Sequence, residues 1–295
     1  MDLEERPPRT RPLEGTPSLC RPAPGLSCFR CCPPIRPPGH DHLDQRTRLT
    51  AELELNTARL ARGILGGRID GRACWGLGFV DEARRQVGCL LHPALGGLDL
   101  RRLTGYQAKC AREVCPQGKT FVNLADEVRR SLLALVQGQD SFQFSSPRLN
   151  PLWALLEWGG PVLTPLHPFL RPGEPIQAYL ASHPRPRARA YLLAGLLARL
   201  EGGPGRGEVL GEGFGLLLEK EAEGIKARVR PVILPPLAGQ PFVHRLGLDP
   251  LLADYIRLEL GIGKLTREGV ARIQAGLEAA LDRLALGFGL ASKPG

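Results

Sequence analysis

No cysteine follows Cys115 in this chain of 295 residues, although eight precede or include it. Aromatic residues make up only 5% of the chain and methionine occurs once, so the apolar content is mainly Leu and Ala, which favours helix. No stretch approaches the roughly 18 consecutive apolar residues that a spanning helix needs. The N-terminal MDLEERPPRTRPLEGTPSLCRPAP is charged and proline-rich, without the apolar core of a secretory signal. The expectation is a soluble, cytoplasmic protein with no membrane partner. The formal charge is +9, yet arginines alternate with acids along the chain and no block of five or six like charges occurs, so nucleic acid is not an expected partner. The glycine-rich EGGPGRGEVLGEGFG satisfies neither G-x-G-x-x-G nor G-x-x-x-x-G-K-[ST] and reads as a flexible loop.

What is present is the N-terminal concentration of thiols: Cys20, Cys28, Cys31, Cys32, Cys74, Cys89, Cys110 and Cys115. In a reducing compartment a disulfide framework is the less favoured use of them. Thiolates are the preferred ligands of zinc and of iron–sulfur clusters, and eight allow two four-thiolate sites. Cys28-x-x-Cys31 has the spacing that lets one turn present two sulfurs to one ion, and Cys89-Leu-Leu-His92 repeats it with an imidazole. Cys31 and Cys32 are adjacent, and Pro33-Pro34 biases Cys32 toward extended backbone, where successive side chains point to opposite sides. The two are therefore expected to serve different metal positions. Each residue also has a plainer reading. Cys20 lies in the Pro/Arg-rich tail, and Cys74, beside Trp75, reads equally as a core cysteine. His40 and His42 read as solvated loop histidines, while His167, His183 and His244 read as structural. No thiol stands out as a nucleophile.

The periodicity places Leu49, Leu53, Leu60 and Ile64 on one face of a helix between Asp44 and Ile64, ended by Gly66-Gly67. Residues 70–100 read as a hairpin with Cys74 and Cys89 at corresponding places. A helix is expected over 123–136, and turn-rich residues follow it. Further helices are expected after Asn150-Pro151, over 190–200, after Asp249-Pro250 and from Thr266, the last with Val270, Ile273, Leu277, Leu281 and Leu284 as one stripe. Residues 214–220 and 225–233 read as a hairpin about Ala222-Glu223-Gly224. The fold class expected is α+β: a disordered segment 1–25, a small irregular cysteine-rich metal-binding domain over 26–140, and a mostly helical α+β region over 141–295.

The segments CRPAPGLSCFRCCPPI, ACWGLGF, GCLLHP and KCAREVCP together resemble the YkgJ-type cysteine-cluster family of zinc- or iron-chelating domains. Cys28, Cys31, Cys32, Cys74, Cys89, Cys110 and Cys115 follow that family's order, with Cys20 at its upstream position, over about residues 20–118. His92-Pro93 replaces the family's Arg-Pro, and the interval from Cys89 to Cys110 is longer. A related pattern accompanies methyl transfer in flagellin lysine methylases. The resemblance implies a metal-binding protein holding zinc or iron, or an iron–sulfur cluster, on those seven cysteines, with Cys20 and His92 as further candidates. The role implied is structural, redox or metal handling. The alternatives are a metal-dependent enzyme of methyltransferase or redox type, and an interaction module with a structural metal. Neither a substrate nor a protein partner is legible.

Overall fold

The computed structural model describes residues 18–32, 34, 36–37, 39–67, 69, 71–93, 98–106, 109–110, 115–200, 210–211, 213–229 and 240–291, with side chains to residue 287. The fold is α+β: helices accompanied by a two-stranded sheet. The chain divides into two compact units, the first comprising Met1–Val122 and Gly138–Leu149, the second Asn123–Gln137 and Asn150–Gly295. Residues 1–17, most of the predicted N-terminal segment, lie outside the described residues, as do 201–209 of the glycine-rich stretch. Among the described residues no helix is long and apolar enough to cross a membrane.

In the first unit, helix α1 (Arg46–Ala61) buries Leu49 and Leu53 one turn apart. It stops earlier than its apolar stripe suggests, because Gly63 turns the chain at a φ of 73°, and Ile64 is left exposed. Strands β1 (Leu77–Phe79) and β2 (Val87–Cys89) pair antiparallel, with Leu77 opposite Cys89. The Asp81 carboxylate organises the turn between them, accepting from the backbone N–H of Arg85 and Gln86. Helix α1 holds the entry to this hairpin. Glu52 Oε2 accepts from the N–H of Arg72 and Ala73, and Asn56 Nδ2 donates to the carbonyls of Cys74 and Leu77. Helix α2 (Pro116–Val122) follows the last cysteine.

Helix α3 (Asp126–Ala134) belongs to the second unit. The chain then returns to the first unit as α4 (Ser141–Ser145), whose N-terminus is closed by a reciprocal Asp140–Gln143 capping box.

The described remainder of the second unit is mostly helical: α5 (Leu152–Leu155), α6 (Gly160–Leu166), α7 (Pro175–Ser182), α8 (Pro186–Arg199), α9 (Phe214–Val229), α10 (Pro250–Asp254) and α11 (Arg267–Ala291). Asp249 caps α10 by accepting from the N–H of Leu251 and Leu252, and α11 buries the five-residue stripe read from the sequence. Helix α8 packs on α11 at Gly195, where a Cβ would sit 2.6 Å from Leu281.

The hairpin expected over 214–233 is instead the single helix α9, residues 230–233 lying outside the described set. Phe214, Leu218, Ala222, Ile225 and Val229 are buried at steps of three and four, so burial of one helical face overrides the local turn signal of Glu223-Gly224.

Arg189 on α8 is 1% exposed. It lies between Glu219 (3.1 Å), Glu223 (2.8 Å) and the wholly buried Glu259 (3.1 Å), and Lys226 also reaches Glu259 at 3.1 Å.

Candidate metal centre

The thiol-bearing loop is fastened at several points. Cys28 N–H donates to the Cys20 carbonyl at 2.9 Å, which holds these two cysteines beside each other. Ser27 Oγ donates to the Val87 carbonyl at 2.6 Å and lies 2.8 Å from Ser141 Oγ. Phe29 N–H donates to Ser145 Oγ at 3.0 Å. Phe29 itself is buried, with its ring edge-on to Phe142 and His42. Helix α4 therefore serves as the clasp that fixes the loop to the core.

From Phe29 the chain makes a tight turn, closed by Cys32 N–H donating to the Phe29 carbonyl at 3.1 Å. The turn gives the adjacent thiols different surroundings. Cys31 is exposed, while Cys32 packs on the apolar cluster of Phe29, Leu49, Leu53, Cys74, Leu77 and Val87, and Cys89 packs on the same cluster. Cys110 is held from another direction, its carbonyl accepting from Arg101 Nη1 at 3.0 Å while Arg101 Nε and Nη2 donate to Asp99.

The backbone amides are directed at the sulfurs in a repeated way. Arg30 N–H donates to Cys28 Sγ at 3.4 Å, and the N–H groups of Gly76 and Leu91 are directed at the sulfurs of Cys74 and Cys89. In all three the donor lies two residues after the cysteine. Gly118 N–H donates to Cys115 Sγ at 3.2 Å. An amide donor stabilises a thiolate over a thiol, and bonds of this kind tune sulfur ligands.

Against that, desolvation pushes the thiols up: Cys74 to about 11, Cys20 to about 12 although its residue surface is exposed, and Cys28, Cys32, Cys89 and Cys110 upward as well. Neighbouring sulfur charges add to the effect. Cys20 is raised further by Cys31 and Cys115, and Cys28 by Cys20 and Cys31. Cys74 is raised by Cys89 and Cys110, and Cys89 by Cys110. Cys32 is raised by Cys31, Cys28 and Cys20 on one side and by Cys89 on the other. All eight cysteines are thiols, not disulfides. Among the described residues no three His, Cys, Asp or Glu side chains stand together as a finished set of metal ligands. The sulfurs share a neighbourhood without converging on one point.

No family model matches this chain, and no curated protein or solved structure matches it.

The histidines sort differently from their sequence reading. His42, read as a solvated loop residue, is 1% exposed. The rings of Phe29 and His40 pack on it, neither ring nitrogen has a hydrogen-bond partner among the described residues, and burial with the neighbouring Arg36 lowers it to about 3. Its burial follows from the fixed position of Phe29, which local composition does not encode. His92 is half-buried and is lowered by burial and by Arg101, beside the Cys89–Cys110 side of the cluster. Two arginines escaped sequence reasoning. Arg101 acts on Cys89 and Cys110, and Arg36 feels the charge of Cys32 while its Nε and Nη2 are buried without hydrogen-bond partners among the described residues. Both lie among many similar arginines, so no sequence signal marks them.

Proposed function

We propose that this protein binds metal through thiolates at two positions, one served by Cys20, Cys28, Cys31 and Cys115, the other by Cys32, Cys74, Cys89 and Cys110. The observation that supports this reading is the packing of Cys32 on the same apolar cluster as Cys74 and Cys89, while its neighbour Cys31 is exposed. The donor chemistry fits zinc, iron or an iron–sulfur cluster, since all are served by soft thiolates. The orphaned donors of Arg36 beside Cys32 fit as well, because an anionic thiolate centre would give them acceptors. The order of the cysteines is the one that the YkgJ-type resemblance implies. What a bound metal supplies is the deprotonation of buried thiols that burial otherwise keeps neutral. The chain's own part is to fix the Phe29–Cys32 turn, to donate amides to the sulfurs, and to exclude water with the Phe29 cluster.

The test is purification without air, followed by elemental analysis and a visible spectrum on the same sample. Two zinc ions per chain, or iron and sulfide with visible absorption bleached on reduction, is the expected result. Cys31→Ser and Cys32→Ser should each remove a different half of the metal. A folded, metal-free chain with eight titratable thiols would overturn the reading. A single ion per chain that survives Cys32→Ser would overturn the division into two positions.

A further inference from the structure

Helices α9 and α11 leave between them a cavity of about 170 Å³ with three arginines in its wall, Arg228 from α9 and Arg272 and Arg283 from α11. Among the described residues no acidic side chain lines it. Its floor is Ile225, Val229 and Ala280, each at most 6% exposed and committed to the contact between the helices. The floor therefore gives shape and offers no free apolar surface. The volume lies below the roughly 300–1,000 Å³ of sites for drug-sized molecules, which limits the occupant to a small group.

The three guanidiniums differ in what they already hold. Arg272 is paired with Glu268, one turn earlier on α11. Arg228 and Arg283 are exposed and have no acidic partner among the described residues. The nearby acids are engaged elsewhere: Glu278 and Asp282 meet Arg199, and Glu219 and Glu223 meet Arg189. Like charges gathered around one cavity repel, and an anion between them relieves that. Arginine's planar fork is the donor set that suits phosphate oxygens.

Each helix also carries an interior glycine here, a residue that costs helix stability relative to alanine. At Gly224 a Cβ would come 3.4 Å from Arg228 Nη1, so the bare position gives that guanidinium its resting place on α9. Gly276 lies in the cavity wall, where a Cβ would fill part of the space, 3.5 Å from Val229. Arg272 and Arg283 are separated along α11 by a rise of about 16 Å, so one phosphoryl group is short for the set, whereas two joined groups offer oxygens toward both ends. We propose that this cavity binds a diphosphate, held by Arg228 and Arg283 and extended toward Arg272, either as free pyrophosphate or as part of a larger molecule lying outside the mouth.

Pyrophosphate titrated at constant ionic strength into the full chain, treated with chelator and dialysed, tests this by calorimetry and by the phosphorus NMR line. Chelation removes any metal that could itself hold the anion, so the result is independent of the metal reading. Saturable one-to-one binding is expected, at least about tenfold tighter than that of inorganic phosphate. It should weaken at least about tenfold in Arg228→Gln and in Arg283→Gln. Ala279→Glu, which places a carboxylate in the wall at an exposed helical position, should abolish it. Arg245→Gln removes an exposed charge of the same unit outside the cavity and should leave the affinity unchanged. With ADP as the second ligand, affinity equal to that of pyrophosphate assigns the site to a diphosphate carried by a larger molecule, and failure to bind assigns it to the free anion. Thermal melts confirm that the variants fold. Absence of saturable binding, phosphate binding as tightly as pyrophosphate, unchanged affinity in Arg228→Gln and Arg283→Gln, or equal weakening by Arg245→Gln would each overturn the proposal.

Discussion

Replacing Cys74 by Ala separates a ligand from a core residue. Cys74 is 4% exposed and sits among Phe29, Leu49, Leu53, Leu77, Phe79, Val87 and Phe142. If it only fills space, the substitution deletes one heavy atom from a packed interior. By analogy with Ile→Val, that costs about 0.5–1.5 kcal/mol, and the cost is the same whether metal is present or not. If it is a ligand, the loaded protein also loses one of four thiolates from a centre of a kind that contributes about 10–16 kcal/mol in small zinc domains. The cost in the loaded protein should then exceed the cost in the chelated protein by at least about 3 kcal/mol, a conservative fraction of that figure. The assay is amide hydrogen exchange of the β1–β2 pair under increasing urea, before and after chelation, which reads the first unit without interference from the second. Equal costs in the two states would refute the assignment of Cys74 and, with it, the second of the two metal positions.

Arg189→Met removes a buried guanidinium from three carboxylates and should destabilise the helical unit by about 3–5 kcal/mol in urea unfolding followed by tryptophan fluorescence, with Glu259→Gln in the same chain restoring part of it. Failure of that rescue would show that the Glu259 charge, left mainly with Lys226, is not the cause. Hydrogen bonding and nearby cations hold Glu219, Glu223 and Glu278 below the ordinary carboxylate range despite partial burial. Their contribution to stability is therefore complete above that range and is lost as pH falls through the depressed values, so the urea midpoint of the helical unit should be flat near neutrality and drop in acid. Asp140→Ala deletes both the cap of α4 and its partner for Arg46 and should cost about 1–2 kcal/mol. Because α4 clasps the thiol loop, the same variant should release metal faster to a chelator, and an unchanged release rate would argue against the clasp.

The long stripes were legible because burial repeats with the helical period, as in α11 and the first half of α1. Asp249 and the Asn150-Pro151 start were legible because capping is local chemistry. The hairpin reading of 214–233 failed for a complementary reason: the turn signal at Glu223-Gly224 is local, whereas the face that α9 buries is set by tertiary packing. Ile64 was assigned to a helix that Gly63 had already ended. At the candidate centre the thiols themselves stood out, since residue type and position in the chain are plain in a sequence. Which sulfurs come near one another was not, because that is set by the folded loops, which bring the charge of Cys115 to bear on Cys20. Arg36, Arg101 and the buried His42 depend wholly on those same loops.

The first unit is written in two pieces, with α4 arriving after a helix that belongs elsewhere. On the ribosome this fixes an order of events. Every thiol through Cys115 is synthesised before Ser141 and Ser145, the hydroxyls that fasten the loop to the core. A nascent chain thus offers all eight sulfurs to the metals and reductants around it while the clasp is still unmade, and termination before residue 141 would leave the complete set of thiols without the two serine hydroxyls that fasten the loop.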